Sequence, residues 1–288
     1  MSFPNYFADA NSDFEESDYV IFGIQYDKTS SFRIGAKKAP DEIRKYSWNF
    51  ETFNLRNEVD FIDIKVHDHG NLQIDNYSID KVIEEVESYT KKLLNKKKFP
   101  IAIGGEHSLT TGILKAFEED IAVVSFDAHL DYRNIYENEK YNHACVIRRI
   151  SETIDINNIM VLGVRSAEKN EYIEAKNDGL FWISSYDIIK YGIKKYFSDF
   201  KKKINNKKIY LSLDIDVIDP CYAPGTGTPE PYGIKPLDLL EFIEYFSKDI
   251  IGFDVMEVCP TYDNGESSMI AAKFIKSVIE ETWLINNQ

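Results

Sequence analysis

Short runs of β-branched and aromatic residues recur along the chain. Between them lie longer stretches whose apolar positions fall three and four residues apart. The runs read as buried strands and the spaced stretches as amphipathic helices, because alternate side chains share a strand face whereas a helix repeats every 3.6 residues. Strands are predicted at 19–24, 61–66, 99–103, 121–126, 158–164, 179–183, 208–213 and 250–255, the second alternating as though one face were wet. A helix is predicted to begin at Pro40, well placed in a first turn, and to run towards Trp48. Further helices are expected over 79–94, from a Ser108 or Thr110 cap through Phe117, after a Ser184 or Ser185 cap, and over 267–284. Alternation of this kind nearly from end to end predicts an α/β fold, with a mostly parallel sheet and helices on both faces. No linker or repeat interrupts it, so 1–288 is expected to form one domain.

In such sheets ligands sit beyond the carboxyl ends of the strands, and charged residues gather there. The run 123–131 passes from apolar residues into Asp127, His129 and Asp131 at alternate positions. If the strand continues that far, the three share one face. The run 210–216 ends in the same way with Asp214 and Asp216. Strand 99–103 leads through Gly104-Gly105-Glu106 to His107, and strand 250–255 leads to Glu257. Buried charges are costly unless paired or bound to metal. A lone Asp-x-His fits a solvated strand end, but two strands finishing alike point to one shared site. Two histidines and four aspartates exceed what one zinc site takes and suit two ions with bridging carboxylates. Oxygen-rich donors without thiolate point to Mn(II) ahead of Zn(II). Such a pair lowers the pKa of a bridging water and so supplies hydroxide at neutral pH. No G-x-S-x-G, P-loop or G-x-G-x-x-G competes. His67-Asp68-His69 also looks like a metal site, but no second cluster of its kind follows, so these histidines are read as loop or strand-end residues.

Composition narrows the partners. The net charge of −14, from 34 Lys+Arg against 48 Asp+Glu, argues against nucleic acid and against anionic membranes, and favours a cationic substrate. Lys96–Lys98 and Lys201–Lys203 are read as solvated helix ends. Cys145, Cys221 and Cys259 are odd in number and lack C-x-x-C, which suits reduced thiols in a cytoplasm; each is expected to be an inert packing residue. The acidic first twenty residues contain no signal-like apolar stretch, and no run approaches a membrane span, so a cytoplasmic protein is expected.

Four blocks carry a family resemblance: Gly104-Gly105-Glu106-His107-Ser108; Ser125-Phe126-Asp127-Ala128-His129-Leu130-Asp131; Ser212-Leu213-Asp214-Ile215-Asp216 running on to Asp219-Pro220; and Asp254-Val255-Met256-Glu257-Val258. In this order they resemble the ureohydrolase family of arginases, agmatinases and their relatives. The resemblance implies an arginase-like three-layer α/β/α fold and two Mn2+ per chain. One ion would be held by His107, Asp127, Asp131 and Asp214, the other by Asp127, His129, Asp214 and Asp216, with Asp127 and Asp214 bridging. Glu257 corresponds to the carboxylate that grips the substrate guanidinium, and His143 to a loop histidine that shuttles protons. Asp131 would hydrogen-bond the bridging hydroxide and pass its proton to the departing amine. A homo-oligomer, trimer or hexamer, is implied as well. Asp219 is read as a turn residue.

The loop 221–230, with Gly225 and Glu230, and the Tyr262-Asp263 pair resemble the agmatinase versions, although His143-Ala144-Cys145 stands where agmatinases commonly have His-Gly-Thr. Glu137 and Glu139, with Lys140 and Tyr141, stand where arginases bind the substrate's α-carboxylate, and an acidic loop would repel it. The expected reaction is hydrolysis of agmatine, a small cationic guanidino compound, to putrescine and urea. Guanidinobutyrase, arginase and formimidoylglutamase are the enzyme alternatives. A catalytically silent member is a further one, but no ligand is missing, nor is His143 or Glu257.

Overall fold

The computed structural model describes residues 4–74 and 76–287. Its strands are β1 (Tyr19–Gly23), β2 (Phe53–Asn54), β3 (Val59–Asp60), β4 (Val66–Asn71), β5 (Phe99–Ile103), β6 (Ala122–Phe126), β7 (Ile159–Val164), β8 (Phe181–Ser184), β9 (Ile209–Asp214) and β10 (Ile250–Met256). Apart from a β2–β3 hairpin they form one eight-stranded sheet, ordered β4-β1-β5-β10-β9-β6-β7-β8, in which every pairing is parallel.

The helices are α1 (Ala39–Ser47), α2 (Ile79–Asn95), α3 (Thr110–Lys115), α4 (Val146–Ile150), α5 (Lys169–Asn177), α6 (Ser185–Tyr191), α7 (Phe197–Ile204), α8 (Pro236–Phe246) and α9 (Glu266–Asn286). Strand alternation divides the core between two faces. Val20, Phe22, Ala102, Val123, Val161 and Tyr210 pack with Val82 and Val86 of α2, Ile113 of α3 and Ile147 of α4. Ile21, Ile101, Val124, Phe126, Leu211 and Phe253 pack with Ile43 of α1, Phe200 of α7, Phe242 of α8 and Ile275 of α9. The result is the three-layer α/β/α architecture that was expected. Among the described residues, no helix is long and apolar enough to cross a membrane.

Five local expectations fail. The residues 61–66 do not form a strand: Phe61–Asp63 is a 3₁₀ turn, and the strand begins at Val66. Phe61, Ile64 and Val66 are buried while Ile62 is exposed, so what looked like alternation is an irregular segment plugging the core. His67, Asp68 and His69 therefore lie inside β4. The residue that matters there is Asp68, whose carboxylate is fully buried against Arg44, which donates to it from Nε (2.8 Å) and Nη2 (2.9 Å). Neither Ser108 nor Thr110 caps a helix. Their hydroxyls bond Glu106 and Asp254 instead, and the chain enters α3 through a 3₁₀ turn at His107–Leu109. Ser184 does cap α6, accepting from the Asp187 amide. Lys98 is not solvated: its ammonium is buried and donates to the Glu15 and Ser17 carbonyls. Cys145 and Cys259 are buried as expected, but Cys221 is exposed.

Candidate active site

The carboxyl ends of β5, β10, β9 and β6, four neighbours at the centre of the sheet, carry His107, Glu257, Asp214 and Asp127. β6 ends at Phe126, so Asp127, His129 and Asp131 do not continue it. They converge by a different route. Asp127 Oδ1 accepts from the His129 amide (2.6 Å), His129 bridges to Ser166, and Asp131 adopts a left-handed φ of 48°. β9 likewise stops at Asp214, whose carboxylate accepts from the Asp216 amide (2.9 Å) and starts a 3₁₀ turn.

Six side chains meet there. His107 Nδ1 lies 3.0 Å from Asp127 Oδ2, 3.3 Å from Asp214 Oδ2 and 3.4 Å from Asp131 Oδ2. His129 Nδ1 lies 2.9 Å from Asp216 Oδ2 and 3.6 Å from Asp127 Oδ1. Two sets of donor atoms result, His107/Asp127/Asp214 and Asp127/His129/Asp216, with Asp127 common to both.

Four buried carboxylates facing two imidazoles leave an excess of negative charge, and the titration shifts record it. Burial pushes Asp131 up to about 7, with the Asp127 charge adding to it. Asp214 is raised by burial and by Asp216 and Asp127. Burial would lower both histidines, but the carboxylates around them more than reverse it.

The donor set suits divalent cations. Among the described residues, His107 Nδ1 and Asp127 Oδ2 are buried without a hydrogen-bond partner. The far side of the His107 ring shows which nitrogen a cation would meet. The Ser212 hydroxyl donates to Asp254 Oδ1 (2.7 Å), so its oxygen accepts from His107 Nε2 (3.1 Å). That holds a proton on Nε2, so an arriving cation would displace the Nδ1 proton and take that lone pair. Tyr210 and Thr110 hold the other oxygen of Asp254. Sequence reasoning missed this support, although a Ser and an Asp opposite one another inside two apolar strands were a usable signal.

In front of these ligands opens a cavity of about 190 Å³, whose walls include Ser31, Arg133, Tyr136, His143, Glu171, Thr228 and Glu257. Glu257 accepts from the His107 amide (2.8 Å), has a left-handed φ of 61°, and is pushed up to about 8 by burial and by nearby Glu106. Such a conformation in a non-glycine residue is held by its surroundings and concentrates at functional sites. His143 is pushed down to about 4, by burial first and then by the neighbouring His129 charge. Of the charged residues in the 132–142 loop, Arg133 lines the cavity, whereas Glu137, Glu139 and Lys140, expected to face the substrate, do not. Arg133 stacks on Tyr136 (4.5 Å) and reaches Glu171 (3.6 Å), an acid from α5 that sequence reasoning did not single out. Asp219 accepts from the Cys221 and Gly233 amides, as a turn residue should.

The arginase-family model matches residues 17–280. The chain is 32% identical to an agmatinase of Bacillus anthracis over 280 residues, covering 95% of this chain and 94% of that one. It is 36% identical to the N(1)-aminopropylagmatine ureohydrolase of Thermococcus kodakarensis, covering 91% and 89%. The crystal structure of an agmatine ureohydrolase of Thermoplasma volcanium superposes with a TM-score of 0.95 at 38% identity, covering 100% of this chain and 97% of that one. With this sheet, this convergence of carboxylates and imidazoles and these matches over nearly its whole length, the chain belongs to the arginase family and is a ureohydrolase.

Proposed function

We propose that the protein hydrolyses agmatine to putrescine and urea with two manganese ions. His107, Asp127, Asp131 and Asp214 would hold one ion, and Asp127, His129, Asp214 and Asp216 the other. The observation that carries this reading is that Asp127 belongs to two adjacent donor sets directly behind a cavity bounded by His143 and Glu257. Bound there, divalent ions make water acidic enough to act as a nucleophile at neutral pH. The chain's own residues do the rest. Glu257 accepts guanidinium N–H bonds, and the arriving cation draws its buried carboxyl towards the ionised form. Asp131 takes a proton from the attacking water. As the C–N bond breaks, Asp131 passes that proton to the departing amine, which leaves as putrescine while the carbon leaves as urea, and His143 carries protons between the cavity and solvent.

The agmatinases among the relatives support a decarboxylated substrate. One observation favours a second reading: the Arg133 guanidinium in the cavity wall offers a carboxylate a partner. Steady-state assays of the manganese-loaded protein on agmatine, arginine, guanidinobutyrate and formiminoglutamate decide between them. The expected result is the highest kcat/KM on agmatine. A higher value for any of the carboxylate-bearing compounds would overturn the agmatine assignment and favour the role for Arg133.

A further inference from the structure

His143 is held by residues that no sequence motif flagged. The loop after β1 brings Thr29 and Ser31 against its ring: Thr29 Oγ1 lies 3.5 Å from Nδ1, and Ser31 Oγ lies 3.3 Å from Nε2. Thr29 is itself buried, and its hydroxyl oxygen also accepts from the His143 backbone amide (3.2 Å). Behind Thr29 stands Glu106, fully buried. Its Oε1 receives the Thr29 hydroxyl (2.6 Å) and the Ser108 hydroxyl (2.5 Å), and its Oε2 receives the Thr29 amide (2.7 Å).

Hydrogen-bond valence fixes the direction of this chain. A threonine hydroxyl has one hydrogen and two lone pairs. Its hydrogen is committed to Glu106, because a carboxylate only accepts. One lone pair takes the His143 amide. The other can pair with the ring only if Nδ1 carries the proton. Nε2 is then the bare nitrogen, facing the cavity beside the exposed Ser31, where a proton can be taken up and handed on.

We propose that Thr29, anchored by Glu106, is a positioning residue that sets the tautomer and orientation of His143. The inference rests on the reading of His143 as a proton carrier. It adds that this competence is conferred from a separate loop, through a hydroxyl that never meets substrate. The arrangement follows general base–orienter logic, in which a third group fixes which nitrogen of a histidine is free.

The test uses Thr29→Val, which keeps shape and removes the hydroxyl, and Thr29→Ser, which keeps the hydroxyl. With agmatine and manganese, Thr29→Val is expected to lower kcat by about ten- to a hundredfold with little change in KM. That is less than the roughly 10²- to 10⁴-fold contribution of a general acid–base group. Thr29→Ser should recover most of the rate. Nitrogen NMR of metal-free wild-type protein with labelled histidine should show His143 with the proton on Nδ1, and Thr29→Val should show a mixture. An Nε2-protonated ring in the wild type would overturn the inference. So would equal losses in both variants, or an unaltered rate and tautomer in Thr29→Val. His143→Ala separates the two readings. If it retains activity, the proton-carrier role fails; if it loses activity while Thr29→Val behaves as wild type, only the positioning role fails.

Discussion

Gly105 joins the ligand-bearing end of β5 to the loop that reaches His143, and replacing it with alanine tests how tightly the two are coupled. A Cβ at this position would meet the Tyr26 carbonyl oxygen at 1.8 Å and its carbon at 2.7 Å, both backbone atoms that no rotamer change can move aside. Real Cβ atoms essentially never approach closer than 3.0 Å, so the segments must part by at least 3.0 − 1.8 = 1.2 Å. Two backbone hydrogen bonds cross this junction, from the Glu106 amide to the Tyr26 carbonyl (2.9 Å) and from the Glu257 amide to the Gly105 carbonyl (2.8 Å). Overpacking costs about 1–3 kcal/mol and each weakened bond about 1 kcal/mol, which together make about 3–5 kcal/mol. For a chain of this size that lowers Tm by roughly 10 °C. The effect on the reaction should be larger than stability alone implies. Thr29 and Glu257 reach the site from either side of Gly105, and a displacement of about 1 Å can reduce turnover about a hundredfold. Thermal melts, kcat and elemental analysis on Gly105→Ala check this, the metal content separating misplacement from loss of ions. A variant with wild-type Tm and kcat would refute the coupling.

Two further outcomes are expected. Asp127→Asn, which weakens one of the two carboxylates assigned to both ions, should lose both ions and activity together; two ions per chain by elemental analysis would contradict the shared role. In metal-free protein, stability should fall as pH rises from about 5 to 8. Burial holds Asp131 at about 7 and Glu257 at about 8, above their ordinary values, so the folded state binds the extra protons at low pH and forfeits that advantage as they leave. Asp127 and His143 are shifted the opposite way. The Asp127 stabilisation is lost only at acid pH, below this window. His143, at about 4, opposes the fall only in the lower part of the window, where Asp131 and Glu257 together outweigh it. Melting curves in chelator that stay flat or rise across the range would refute the sign.

The convergence of six charged side chains was legible because they follow where apolar runs stop, and charge at the mouth of a buried strand has few structural uses. The strand geometry first suggested for them was not correct. Asp131 reaches the site through a left-handed turn, and such a φ in an aspartate leaves no mark in sequence periodicity. Thr29 and Glu106 were illegible for another reason: they are 77 residues apart, and nothing local announces their hydrogen bond. The same holds for Glu171, which α5 delivers to a cavity wall assigned in advance to Glu137 and Glu139. At 61–66, spacings of three and two between buried residues imitated a strand that begins only at Val66.

The order of the central strands has a consequence for how the protein is assembled. β5, β10, β9 and β6 are contiguous in space, yet His107 and Glu257, which they bring together, are 150 residues apart in the chain. No early fragment, and no pair of consecutive strands, contains the whole donor set. On the proposed two-ion reading, high-affinity capture of metal would therefore belong to the last stage of folding, after the slow closure of the longest loops. Ions that bind only the completed centre shift the global unfolding equilibrium and leave the fraying of the outer strands β4 and β8 untouched. In hydrogen exchange, manganese should slow the amides of the four middle strands by a common factor and leave those of the two edges at their metal-free rates.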